Sequence, residues 1–166
     1  KIEHLRHADV LLGISQFSCD EALELLQTPA ESLTNISGAA DDIFVHLDNA
    51  EAFRRELMHR YGLQRSFVMY AGGFDSRKNI DALIRSFALL PDTLRRSHQL
   101  VIVGGAPPTE RAMLDALVSQ LGLGADEVVF TGYVPDSDLV KLYNLCALYV
   151  FPSLQEGFGL PALEAM

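Results

Sequence analysis

A succession of continuous apolar runs, each leading into glycine, most constrains the fold of this chain. Phe67-Val68-Met69-Tyr70-Ala71 meets Gly72-Gly73, Leu100-Val101-Ile102-Val103 meets Gly104-Gly105, and Val128-Val129-Phe130 is followed by Gly132. Leu148-Tyr149-Val150-Phe151 leads into a loop around Glu156 and Gly157. None of these runs alternates apolar with polar residues, so both faces of each strand must be covered, as in a parallel sheet. The segments between them read as helices: Arg77 to Leu90, ended by Pro91; Thr109 to Leu121, closed by Gly122; and Asp136 to Leu145. The expected class is α/β, a Rossmann-like doubly wound parallel sheet with helices on both faces.

Upstream the pattern is less regular. Val10 to Ile14 is a short strand candidate. Ser18, with Glu21 three residues later, has the spacing of a capping box for a helix running to Thr28. Ser32 to Ile36 is a weaker strand candidate, Ser37 to Asp48 a polar connecting stretch, and Asn49 to Tyr61 an amphipathic helix stopped by Gly62. Both ends read as cut. Lys1 to His7 has the apolar spacing of a helix tail. The last helix opens near Pro161 with about one turn remaining, too short to hold itself together. The expectation is a piece of a longer protein, with a frayed natural terminus as the alternative.

The formal net charge of −9 sets the chain as a whole against nucleic acid, so any anionic ligand needs a local cluster of positive charge. No apolar run is long enough to span a bilayer, and no secretory signal pattern opens the chain. Cys19 and Cys146 form no redox or metal spacing, which makes the cytoplasm the default compartment. There is no Gly-x-Gly-x-x-Gly after a strand, no Walker A loop and no Gly-x-Ser-x-Gly elbow. His4 and His7 share a helical face without further ligands, so no metal site is expected.

In open parallel sheets ligands bind at the carboxyl ends of the strands, where the glycines of this chain collect. Arg77 and Lys78 follow Gly72-Gly73-Phe74-Asp75-Ser76 at the expected start of a helix, where cations oppose the macrodipole. A bound phosphate would relieve that conflict; relief by Asp75 and Asp81 is the bland alternative. Glu156 and Glu164, with seven residues between them, flank a glycine-bearing loop expected to join a buried strand to a new helix, with Glu164 in its first turn. Carboxylates suit paired sugar hydroxyls, although Glu164 would also suit a helix start and Glu156 could simply be solvated.

The strings Tyr70-Ala71-Gly72-Gly73-Phe74-Asp75-Ser76-Arg77-Lys78-Asn79-Ile80, Leu100 to Gly104, Val129-Phe130-Thr131-Gly132-Tyr133-Val134, Leu139-Val140-x-Leu142-Tyr143 and Pro152-Ser153-x-x-Glu156-Gly157-Phe158-Gly159-Leu160-Pro161-x-x-Glu164-Ala165-Met166 occur in one order. Together they resemble family 4 glycosyltransferases of the GT-B fold, over roughly Phe67 to Met166. Ala8 to Ser15 is similar to the last strand of that family's N-terminal domain. The resemblance implies the end of an acceptor domain at 1–37, a linker and connecting helix at 38–66, and a truncated nucleotide-sugar-binding domain at 67–166.

The resemblance also implies the roles. Arg77 and Lys78 would hold the pyrophosphate beside Gly72 and Gly73, and Glu156 would contact the donor sugar. Glu164 would accept from the ribose hydroxyls. Main-chain groups of Phe158, Gly159 and Leu160 would line the sugar-phosphate, with the base near Tyr133 and Val134. Many members carry arginine where this chain has Phe74, and its task passes to Arg77. The implied reaction is sugar transfer from a nucleotide diphosphate to an acceptor hydroxyl, with retention and without a metal or other cofactor. The Gly-Gly-Phe-Asp-x-Arg-Lys-Asn version looks like bacterial polysaccharide mannosyltransferases, which favours GDP-mannose. The implied partners are a nucleotide-sugar donor and a glycan or lipid-linked acceptor, with no nucleic acid and with room for peripheral membrane association of the full-length protein. The competing readings are a non-catalytic nucleotide-binding module and an epimerase or phosphorylase of related architecture.

Overall fold

The computed structural model describes residues 2–166, which divide into two compact units. One comprises residues 42–155 together with Ala165–Met166; the other comprises residues 2–41 together with Glu156–Glu164.

The larger unit is built on a parallel sheet of β3 (Ser66–Ala71), β4 (His98–Val103), β5 (Val128–Gly132) and β6 (Leu148–Tyr149), in the order β5-β4-β3-β6. (β1, Leu11–Gly13, and β2, Leu33–Asn35, belong to the smaller unit.) β3 and β4 pair from Ser66↔His98 to Ala71↔Val103, and β6 joins through Val68↔Leu148 and Met69↔Tyr149. Successive side chains of a strand point to opposite faces, and both faces are covered. Phe67, Met69, Val101 and Val103 pack with Leu57 of α3 (Glu51–Arg60) and with Leu142 and Tyr143 of α7 (Asp136–Leu145). Tyr70, Leu100, Ile102 and Val128 pack with Ile80, Leu83, Ile84 and Phe87 of α4 (Ile80–Ala88) and with Leu117 and Val118 of α6 (Pro108–Gln120). The runs of β3 and β4 are thus strands buried on both sides, as their lack of alternation requires, whereas the last apolar run forms a strand of only two residues at the sheet edge, with Leu148 57% exposed and Val150 and Phe151 beyond it.

Two buried polar side chains hold this unit together at the strand ends away from the glycines and between helices. Gln99 is fully buried. Its Oε1 accepts from the main-chain N–H groups of Gln64 (2.7 Å) and Arg65 (3.0 Å), and its Nε2 donates to the Asp126 carbonyl (2.7 Å). Asp138 of α7 accepts from Arg60, from the Tyr61 hydroxyl (2.7 Å) and from Lys141 (3.3 Å). Burial pushes the Asp138 carboxyl up, but these hydrogen bonds outweigh it and hold it below the usual carboxylate range.

The smaller unit contains α1 (Ile2–Arg6), α2 (Gln16–Leu26), α8 (Leu160–Glu164) and the parallel pair β1 (Leu11–Gly13) and β2 (Leu33–Asn35). Lys1, expected in the first helix, lies outside the described residues.

Several expectations are corrected. The cap of α2 is Ser15, not Ser18: Ser15 is extended, and its hydroxyl accepts from the Ser18 N–H at 3.0 Å, so Ser18 is the residue served. The helix expected from Arg77 to Leu90 is two elements, a 3-10 turn at Ser76–Lys78 and then α4, separated by Asn79 in the left-handed region (φ 56°). Asparagine tolerates that conformation, and it breaks helical continuity. A short helix, α5 (Asp92–Ser97), lies between Pro91 and β4, where none was expected. Glu164 is the last residue of α8 rather than a first-turn residue.

Candidate functional site

The carboxyl ends of β3, β4, β5 and β6 lie along one edge of the sheet, because the strands are parallel and adjacent. At that edge the loop after β3 takes a tightly specified path. The Gly72 N–H donates to the Val103 carbonyl (3.2 Å), and Gly72 has a φ of 154°. The Tyr70 hydroxyl donates to the Gly73 carbonyl (2.7 Å). Lys78 Cε stands 3.7 Å from where a Cβ on Gly73 would be, so the lysine stem runs beside that glycine.

Asp75 caps the 3-10 turn. Its Oδ1 accepts from the Arg77 N–H (3.2 Å) and from Arg77 Nε (2.8 Å). The Arg77 hydrogen bond is the main cause holding the Asp75 carboxyl below its usual range. The expected conflict between Arg77, Lys78 and a helix dipole is therefore eased in two ways: the cations stand in a separate turn, and Asp75 engages Arg77.

This turn is tied to the loop after β6. The Leu154 N–H donates to the Arg77 carbonyl (2.8 Å), and Asn79 Nδ2 donates to the Pro152 carbonyl (3.1 Å). Ser153, between them, has a buried Oγ with no hydrogen-bond partner among the described residues. A buried unpaired hydroxyl costs on the order of 1–3 kcal/mol and calls for an explanation.

Tyr133 and Val134 follow β5 at the same edge. Tyr133 is 79% exposed, whereas the Val134 side chain is buried in the α3/α7 core, leaving only its main chain available to a ligand.

Glu156 to Glu164 belong to the smaller unit. There the Gly157 carbonyl accepts from the hydroxyls of Ser15 and Ser18 (3.2 Å for Ser18). The Phe158 ring lies 3.1 Å from where a Cβ on Gly38 would be. Gly159 has a positive φ of 91° and Leu160 opens α8. The loop from Gly157 to Gly159 is thus held by the start of α2 and by the connecting stretch, with Glu156 before it and Glu164 at the far end of α8.

Sequence reasoning named Asp75 only as a charge partner for the cations, not as the cap of their turn, and gave Asn79 and Ser153 no role. Asp75-Ser76-Arg77 has an Asx-turn spacing that could have been read. The Asn79 and Ser153 contacts depend on β6 lying beside β3, which no local pattern reveals. A separate hollow of about 820 Å³ lies between α4 and α6, lined by Phe74, Ile80, Met113 and Leu117. Asp75, Asp81 and Glu110 also border it, against Arg85, which makes it a poor place for a diphosphate.

The family model described as "Glycosyl transferases group 1" matches residues 54–166. The chain belongs to the group 1 glycosyl transferases. Among its relatives is the serotype-specific mannosyltransferase WbdA of Escherichia coli, 37% identical over all of this chain and 20% of WbdA. Another is the O-antigen chain mannosyltransferase B of Escherichia coli, 33% identical over 99% of this chain and 42% of that protein. The chain therefore spans from a fifth to about two fifths of the length of these relatives. Its fold is that of GT-B glycosyltransferases. The crystal structure of Anabaena Alr3699/HepE in complex with UDP-glucose superposes with a TM-score of 0.80 at 20% identity, covering 99% of this chain and 44% of that one. In this glycosyl transferase chain the family match includes both the Gly72–Lys78 loop and the segment from Glu156 to Glu164.

Proposed function

We propose that this chain is the donor-binding part of a retaining, metal-independent glycosyltransferase, with residues 1–37 closing an acceptor domain, 38–66 connecting, and 67–166 binding the nucleotide sugar. One observation carries the reading: Arg77 and Lys78 sit on a glycine loop at the carboxyl end of β3, and that loop is cross-tied to the loop after β6. A fixed pair of cations beside main-chain N–H groups suits a departing diphosphate, whose charge grows as the sugar–phosphate bond breaks. The acceptor hydroxyl oxygen bonds to the anomeric carbon as that carbon's bond to the diphosphate breaks, and the hydroxyl proton passes to the departing diphosphate oxygen. Glu156 would contact the donor sugar, and Glu164 the ribose hydroxyls. Main-chain groups of Phe158, Gly159 and Leu160 would line the sugar-phosphate, and the base would lie by Tyr133 and the Val134 main chain. The mannosyltransferase relatives support mannose as the transferred sugar; the donor is taken as GDP-mannose, with a glycan or lipid-linked acceptor, in the cytoplasm.

A second reading, a nucleotide-binding module without transfer, draws support from the Asp75–Arg77 pair, since that guanidinium is already engaged. Calorimetric titration of the full-length protein with GDP, UDP and their sugars separates the two. The donor reading expects GDP binding that weakens about ten-fold or more with Lys78→Ala, the loss of one charge-assisted contact, together with sugar transfer. Binding without transfer would favour the module; indifference to Lys78→Ala would reject the diphosphate site. The 166-residue chain alone is expected to transfer nothing.

A further inference from the structure

Tyr70 stands apart from the other residues of β3. It is fully buried on the α4/α6 face of the sheet, where Leu100, Ile102 and Ile84 are purely apolar. Phenylalanine would fill the same volume, so the hydroxyl must serve another end. A buried hydroxyl needs a partner. This one reaches forward to the carbonyl of Gly73, three residues on, at 2.7 Å.

The neighbouring glycines meet the same constraint from other sides. A Cβ on Gly72 would stand 2.7 Å from the Tyr70 hydroxyl oxygen, so the ring tip occupies the space a side chain would need. A Cβ on Gly104, at φ 139°, would stand 2.4 Å from the Gly72 carbonyl oxygen and 2.9 Å from the Phe74 ring. The Gly72 N–H is itself held by the Val103 carbonyl. The path from Gly72 to Phe74 is thus enclosed by a hydroxyl below and by two positions at which only glycine fits.

We propose that Tyr70 is a positioning residue for the diphosphate loop. Its hydroxyl holds Gly73 in the one conformation that lays the loop beside the Lys78 stem and starts the Asp75-capped turn. The proposal rests on the donor-site reading for its functional consequence, but its structural half stands without a ligand. Preorganisation of this kind lowers the ordering cost of binding and acts on the diphosphate rather than on the base.

The test is Tyr70→Phe in the full-length protein, with hydrogen exchange of residues 72–79 and 98–103 measured beside calorimetric binding of GDP and of guanosine. Exchange in 72–79 is expected to rise several-fold while 98–103 stays unchanged, since the hydrogen bond removed ends on Gly73. GDP binding is expected to weaken about ten-fold, equivalent to about 1.4 kcal/mol, with guanosine within two-fold of its original affinity. Unchanged exchange in 72–79 would overturn the proposal whatever the ligand does. Faster exchange in both segments, or equal losses for GDP and guanosine, would also overturn it, by making Tyr70 a core residue only. A parent protein that binds neither GDP nor UDP would sink the donor-site reading instead, and the exchange data alone would then decide the role of Tyr70.

Discussion

Replacing Gln99 by methionine isolates what a buried amide contributes at the sheet edge opposite the glycines. The two side chains are similar in length, so little cavity forms. The substitution removes three hydrogen bonds: two from the main-chain N–H groups of Gln64 and Arg65 to Oε1, and one from Nε2 to the Asp126 carbonyl. At about 1 kcal/mol net for each, the loss is about 3 kcal/mol, with the apolar gain of methionine returning roughly 1 kcal/mol. Gln64 is exposed and Arg65 partly so, and water reaching their N–H groups keeps the loss from growing further. The expected outcome is a loss of about 2 kcal/mol. Urea denaturation would measure it, with exchange in β3 and β4 checking that the change lies in the larger unit. Because Gln99 pairs with Phe67 at the start of β3, far along the strand from Gly72, GDP affinity should not move. A loss under about 0.5 kcal/mol, less than a single hydrogen bond, would refute the clamp. So would a loss of GDP affinity at unchanged stability.

Two further outcomes follow from the same geometry. The Asp138 carboxyl titrates lower in the folded protein than in the unfolded chain, so its stabilisation is present above the unfolded value of about 4 and is lost as pH falls through the lower folded value. Asp138→Asn should destabilise the protein at pH 7 and flatten the acid limb of the stability curve; parallel curves for the two proteins would contradict the assignment. At Asn79, in the left-handed region with its amide on the Pro152 carbonyl, alanine should cost about 2 kcal/mol and glycine about 1, since glycine loses only the hydrogen bond. Thermal denaturation giving the reverse order would show that the backbone is not held there.

The strands and most helices were legible because their signals are local. Phe67 to Ala71 and Leu100 to Val103 have no polar face to offer water, so a sheet covered on both sides was the only economical arrangement, and Gly62, Pro91 and Gly122 punctuated the helices. The segment from Glu156 to Glu164 was legible as a pattern of glycines and prolines. Less legible was the division of Arg77 to Leu90 into a turn and a helix, because an asparagine near the start of a helical pattern also suits an ordinary cap, and nothing in the sequence declares a left-handed φ at Asn79. The cap of α2 was misread by three residues because two serines offer the same chemistry at that spacing.

Residue order alone therefore determined which segments are strands, which edge of the sheet gathers glycine, and which cations and acids are candidates for a ligand. Tertiary structure decided the rest. It brought the Arg77 turn against the Pro152 loop, buried Val134 while exposing Tyr133, and placed a tyrosine hydroxyl beneath Gly73. The physical reason is range. Propensity, capping and apolar periodicity act over a few residues, whereas a hydrogen bond between Asn79 and Pro152 exists only once β6 has paired with β3.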